Sequence, residues 1–248
     1  MIPLITAICN KGLHPRHWLE MNEVVGFEIK PSEVLGKLAD KLAQLETEDP
    51  TGQLIAISDR ASREYSIEKQ LTKMMGEWGE LALEFNEYGA TGTFILKGGP
   101  LDEAQVLLDD HIVKSKAMMS SPFAKPHLDN IGPWEAKLSR LQLTLDEWLK
   151  CQGRWMYLQP IFGSEEIVRQ IPTEGLAFKA MDESWRKIMQ ETRVDPGLMA
   201  VAALPSLLED LQGCNAKLDI VEKGLNDFLE TKKAAFPRFY FLSNDQLL

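Results

Sequence analysis

The apolar residues Leu207, Leu211, Cys214, Leu218, Val221, Leu225 and Phe228 step along the chain by four, three, four, three, four and three. That alternation is a heptad seam, and it predicts a long helix packed along one side. A second seam runs through Ile131, Trp134, Leu138, Leu141, Leu145, Trp148 and Trp155, and it skips one turn at Gln152. A looser stripe passes through Ile57, Ala61, Tyr65, Leu71, Met75, Trp78, Leu81 and Phe85, and a fourth through Phe178, Met181, Trp185 and Ile188. Each stripe is one inward face with charged residues around the rest of the helix.

Breaks separate these helices. The run Glu48-Asp49-Pro50-Thr51-Gly52 ends a helix built on Val34, Leu38 and Leu42, and Pro100, Pro122, Pro126, Pro160, Pro172, Pro196, Pro205 and Pro237 mark the other joints. Pro133 falls at the start of a strong seam, as a first-turn proline or a kink. Three short runs have strand character: Phe27 to Lys30, Thr91 to Lys97 and Arg238 to Leu242. Strand alternation over the last would turn Phe239 and Phe241 inward and Tyr240 to the other side. The expected fold is mostly α, an elongated stack of antiparallel long helices with a small β element. Residues 1–160 and 161–248 form its two parts, and no fixed period supports a regular solenoid.

Composition narrows the function. With 27 Lys+Arg against 37 Asp+Glu the net charge is −10. No dense basic cluster exists, so nucleic acid and anionic membrane are poor partners. Cys9, Cys151 and Cys214 are far apart in sequence and suggest a reducing compartment rather than a zinc site.

Candidate chemistry is sparse. "TFILKGGPLDEAQ" (Thr93 to Gln105) has the outline of a phosphate-binding loop. However, Lys97 precedes the glycines and Pro100 removes a backbone N–H, so a strand-to-helix turn is the better reading. His14, His17, His111 and His127 show no metal spacing and read as hydrogen-bonded or exposed structural histidines. Asp109, Asp110 and His111 point about 100° apart in succession on a helix and do not converge. The tryptophans read as packing residues.

Five stretches, in order, carry a family resemblance: "RHWLEMNEVVGFEIKP" (Arg16 to Pro31), "GTFILKG" (Gly92 to Gly98), "LLDDHIVKSKAMMSSPFAKP" (Leu107 to Pro126), "LDEWLKCQGRWMYLQPIF" (Leu145 to Phe162) and "GLNDFLETKKAAFPRFYFLSNDQLL" (Gly224 to Leu248). Together they resemble the linker region of dynein heavy chains over nearly the whole chain. "FPRFYFLSND", covering Phe236, Pro237, Arg238, Phe239, Tyr240 and Phe241, is the most specific motif, and with "YLQPIF" it looks like the axonemal branch. The resemblance implies a force-transmitting lever with no catalytic, cofactor or metal residues of its own. It implies an intramolecular partner, the AAA+ ring that uses ATP and magnesium, with microtubules reached only through the parent motor in the axoneme of a cilium or flagellum. It also implies that Ser243 and Gln246, spaced as a capping box, open a helix that continues into a longer polypeptide.

A lever must bend somewhere. Pro160, Gly163 and Pro172 interrupt the helices between Trp155 and Phe178, while Leu158, Ile161, Phe162, Ile167 and Val168 are too apolar for a solvated loop. Trp155, Pro160, Phe162 and Gly163 are therefore the candidate hinge, against the alternative of an ordinary rigid corner. Two other classes stand beside the lever: a passive spectrin-like or coiled-coil-like helical scaffold that binds another protein, and a small nucleotide-binding enzyme using the Lys97-Gly98-Gly99 turn.

Overall fold

The computed structural model describes residues 2–29, 49–243 and 246. Its elements are α1 (Ile2–Ile8), α2 (Pro15–Val25), α3 (Pro50–Glu77), a 3-10 turn (Trp78–Glu80), β1 (Phe85–Glu87), β2 (Phe94–Leu96) and α4 (Gly98–Met119). A 3-10 turn (Pro122–His127), α5 (Leu128–Phe162), α6 (Glu165–Gln170), α7 (Pro172–Val194), α8 (Leu198–Val201), α9 (Leu207–Ala235) and a last 3-10 turn (Pro237–Phe241) follow. The protein is mostly α with a small β element. The helix expected on Val34, Leu38 and Leu42 lies outside the described residues.

Two compact units are formed, one from Met1–Gly76 with Val113–Glu135, the other from Glu77–Ile112 with Ala136–Leu248. The position expected to divide the chain, between residues 160 and 161, falls within α5.

In the first unit Leu4, Ile8, Met21, Val25, Ile29, Leu54 and Ile57 make the core, with Leu13, Trp18, Val24 and Phe27 against it. Helix α2 closes on Gly26, whose φ of 74° is the left-handed C-cap that glycine adopts without a Cβ penalty. Residues 27–29 after it are not strand, which corrects the first of the three expected strands. The inward face of α3 is Leu54, Ile57, Ala61, Glu64, Ile67, Leu71 and Met74, whereas Tyr65 and Met75 are exposed. The inward places expected for Tyr65 and Met75 thus fall one residue earlier, on Glu64 and Met74, and the first of these is held by a charged residue. Glu64 is buried since its Oε2 accepts from Arg16 at 2.6 Å and meets His17 Nε2 at 2.9 Å.

In the second unit the α5 seam from Leu138 to Trp155 and the α9 seam are buried, except that Phe228 is only half-buried and Leu229 takes the last inward place. Helices α7 and α9 pack closely, and Arg154 of α5 reaches α9 at three points: Glu222 at 2.7 Å, Asp219 at 2.8 Å and the carbonyl of Asn215 at 3.1 Å. The third stripe ends at Trp78; Leu81 and Phe85 belong to the chain that turns into a hairpin instead. There β1 and β2 pair antiparallel, Phe85 with Leu96 and Glu87 with Phe94. The turn between them carries Gly89 at φ 54° and Gly92 at φ 70°, a left-handed backbone that glycine tolerates best.

Helix α4 begins at Gly98 itself, so the two glycines form its first turn. Pro133 lies within α5, in its second turn, and the helix continues through it. The run from Arg238 to Leu242 is not a strand. Pro237 starts a 3-10 turn in which Phe241 is 91% exposed and Tyr240 58% exposed, so the expected alternation of Phe239 and Phe241 does not occur. Among the described residues no strand pairs with it, and the aromatic run turns locally through the Phe239 N–H to Phe236 C=O bond.

Candidate functional site

Around the expected hinge several aromatic and charged side chains converge. Helix α5 runs through Pro160, which is exposed in its last turn, and ends at Phe162. Gly163 and Ser164 then break the chain, the short α6 follows, and α7 restarts with Pro172 at its first position, where a missing N–H costs nothing. The break therefore lies at Gly163–Ser164 and again at Ile171, not at Pro160.

Trp155 is wholly buried. Its indole N–H donates to Asp182 Oδ1 at 2.8 Å, and its ring stacks on Trp185 at 5.7 Å and meets Tyr88 edge-on at 5.1 Å. The second oxygen of Asp182 accepts from Arg186 Nε at 2.7 Å, and Arg186 Nη1 donates to the Thr91 carbonyl of the hairpin turn at 2.7 Å. A further cation, the Arg193 guanidinium, lies 3.6 Å from the centre of the Phe94 ring. Trp155 is thus one end of a polar chain that joins α5 to α7 and α7 to the hairpin.

Phe162 stacks on Phe178 with 5.0 Å between ring centres and 17° between planes. Beside them a cavity of about 240 Å³ is lined by Gln159, Phe162, Gly163, Val168, Gly175 and Phe178, among others. Gly175 is needed here: a Cβ on it would stand 2.9 Å from Val168 Cγ1. A larger cleft of about 550 Å³ holds Pro160, Ile161, Ile167, Phe228, Leu229 and Phe239. The candidate hinge and the aromatic motif, separate in sequence, therefore share one cleft through Pro160 and Phe239. Phe236 is exposed and Arg238 is exposed, and neither lines it.

Sequence reasoning overlooked Gln152, Tyr88, Thr91, Asp182 and Arg186, which tie the joint to the hairpin. One signal was available, the turn skipped by the second seam at Gln152.

The histidines occupy structural positions. His111 Nδ1 accepts from the Trp78 indole at 2.9 Å, and its Nε2 faces Glu77 at 3.1 Å. His17 Nδ1 accepts the His14 backbone N–H at 3.0 Å, which leaves the ring proton on Nε2 facing Glu64. Burial pushes the His17 pKa down against the pull of Glu64. Glu64 is itself held below the usual carboxylate range: burial opposes that, but Arg16 and His17 outweigh it. Lys97, the lysine of the glycine turn, pairs with Glu84 at 2.6 Å. Among the described residues no group of His, Cys, Asp and Glu could hold a metal ion, and no helix is long and apolar enough to cross a membrane.

Residues 1–248 match the family described as dynein heavy chain, N-terminal region 2. The sequence is 42% identical to dynein axonemal heavy chain 3 of Homo sapiens over 257 residues, covering 100% of this chain and 6% of that protein. It is 44% identical to dynein axonemal heavy chain 12 of Homo sapiens, over 95% of this chain and 8% of the relative. It is 41% identical to dynein axonemal heavy chain 1 of Mus musculus, over 100% of this chain and 6% of the relative. The chain thus spans less than a tenth of the length of these relatives.

Proposed function

We propose that this chain, which belongs to the dynein heavy chain family and is an axonemal heavy chain N-terminal region, is a segment of the motor's linker, the lever that carries force. In this reading the chain performs no catalysis itself. An AAA+ ring elsewhere in the same polypeptide hydrolyses ATP with magnesium, the lever turns that cycle into displacement, and microtubules of the axoneme are reached only through the whole motor.

The observation that carries the reading is the packed joint between α5 and α7. Long helices held side by side along buried seams transmit force with little yielding. Between them Gly163 and Ser164 interrupt the helix, while Phe162 remains stacked on Phe178. A packed contact between two stiff bodies can hold discrete arrangements, where a solvated loop has a continuum. Trp155, Pro160, Phe162 and Gly163 are the proposed hinge, and Trp155 anchors it through Asp182. A passive scaffold would need the same seams but no moving joint.

The test uses the full-length motor. Gln159 and Lys179 line the cavity at the joint, one on each side. Cysteines at both positions, cross-linked, are expected to stop microtubule gliding while basal ATP hydrolysis persists. Gliding at normal speed with the cross-link intact would overturn the hinge.

A further inference from the structure

We propose that Cys151 and Cys214 form a built-in dithiol that hydrogen peroxide converts to an intramolecular disulfide, fastening α5 to α9.

The two cysteines lie 63 positions apart in sequence, Cys151 on α5 between Trp148 and Trp155 and Cys214 on the seam of α9, and Arg154 bridges the two helices. Both are fully buried, at 0% and 1% exposure, both are free thiols, and the neighbouring Cys214 together with burial pushes the Cys151 thiol up. The backbones around them are tied together. Asn215 Nδ2 donates to the Glu147 carbonyl at 2.9 Å, one turn before Cys151, and Arg154 Nη1 donates to the Asn215 carbonyl at 3.1 Å, just after it. These bonds hold the α9 backbone at residue 215 against one turn of α5, so the thiols meet in a fixed frame. Cys9, by contrast, is exposed and belongs to the other unit.

When local opening exposes the pair, one thiol ionises and reacts first. Taking it as Cys214, its thiolate attacks one peroxide oxygen: an S–O bond forms, the O–O bond breaks, and the other oxygen leaves as water with the thiol proton. The Cys151 sulfur then attacks the Cys214 sulfenic acid. An S–S bond forms, the S–O bond breaks, and the hydroxyl leaves as water with the Cys151 proton. Two thiols and one hydrogen peroxide give one disulfide and two waters; sulfur is oxidised and peroxide oxygen reduced. Burial makes both this reaction and its reversal wait on local opening.

The experiment uses the whole 248-residue chain carrying the exposed substitution Cys9→Ser, so that the pair itself is unaltered. After hydrogen peroxide treatment of the folded protein, both thiols are expected to disappear together. A peptide linking residues 151 and 214 should appear in non-reducing mass spectrometry, with a thermal midpoint raised by several degrees, as expected of a cross-link closing a long loop. Dithiothreitol should restore both thiols. The proposal is overturned if the folded chain keeps both thiols under peroxide that consumes them in urea. Oxidation of the two to unlinked sulfinic acids would overturn it as well.

Discussion

Gln152 pairs with Leu96 as a neighbouring strand would: the Leu96 N–H donates to Gln152 Oε1 at 2.7 Å, and Gln152 Nε2 donates to the Leu96 carbonyl at 3.3 Å. The amide on α5 thereby satisfies the free edge of β2, and the small hairpin is attached to the long helix where its apolar seam skips a turn. Hairpins of this size have little stability alone. This one keeps its place through Gln152, through Arg186 on Thr91 and through Arg193 over Phe94.

Replacing Gln152 by Leu leaves both Leu96 groups without that partner. The expected cost is about 1–3 kcal/mol, the penalty of stranding part-buried polar groups. Urea denaturation gives the magnitude. Amide exchange should accelerate at Leu96 while remaining slow along α9, and protection at Leu96 equal to the parent's would contradict the pairing.

Trp155→Phe keeps most of the buried ring but removes the donor to Asp182. A hydrogen bond to a charged acceptor contributes about 1.5–3 kcal/mol, and a loss of that size is expected here. Trp155→Phe combined with Asp182→Ala should be less than additive in a double-mutant cycle, since both remove one bond. Strict additivity would disconnect the two residues.

The aromatics near the joint should differ sharply in their effect. Phe162 is 8% exposed and stacked, so Phe162→Ala is expected to cost about 3–5 kcal/mol as a core cavity. Phe241 is 91% exposed, and Phe241→Ala should stay within about 0.5 kcal/mol. Chemical denaturation of the two variants checks both, and comparable losses would show that Phe241 is buried in solution.

Stability should fall on acidification in two stages. His17 has a folded pKa below its ordinary 6.5, so the unfolded chain takes up the proton first. Its contribution is complete above pH 6.5 and is lost as pH falls through the lowered folded value. Glu64, also lowered, contributes fully above pH 4.5 and loses that contribution as pH falls through its own folded pKa. Protonating His17 at Nδ1 would also abolish its acceptance of the His14 N–H, and Arg16 and Arg60 would repel the new charge. Urea midpoints measured from pH 8 to pH 3 should decline through both windows. In His17→Gln the decline should begin only near the carboxylate range, and a midpoint that rises between pH 7 and pH 5 would reverse the sign assigned to His17.

The long helices could be read directly from the sequence because a helix with one buried face repeats its apolar residues every 3.6 positions, and that period needs no knowledge of the partner. The seams on α5 and α9 and the stripe on α7 are buried nearly as the spacing indicates, and the motifs from Arg16 to Leu248 carry the family. Tertiary structure decided the positions where the period is broken or charge is turned inward. Glu64 faces the core because Arg16 offsets its charge and the His17 imidazole donates to it, both some 47 residues earlier in the chain. Gln152 interrupts a seam because a strand edge needs its amide. Cys151 and Cys214, distant in sequence, come near each other because Arg154 and Asn215 tie α5 to α9. The aromatic run from Phe236 turns instead of extending because strand propensity acts only where another strand supplies hydrogen bonds, and none is paired with it among the described residues. A single sequence holds the period of each face; which faces meet, and which polar groups then find partners, is decided by contacts between residues far apart along the chain.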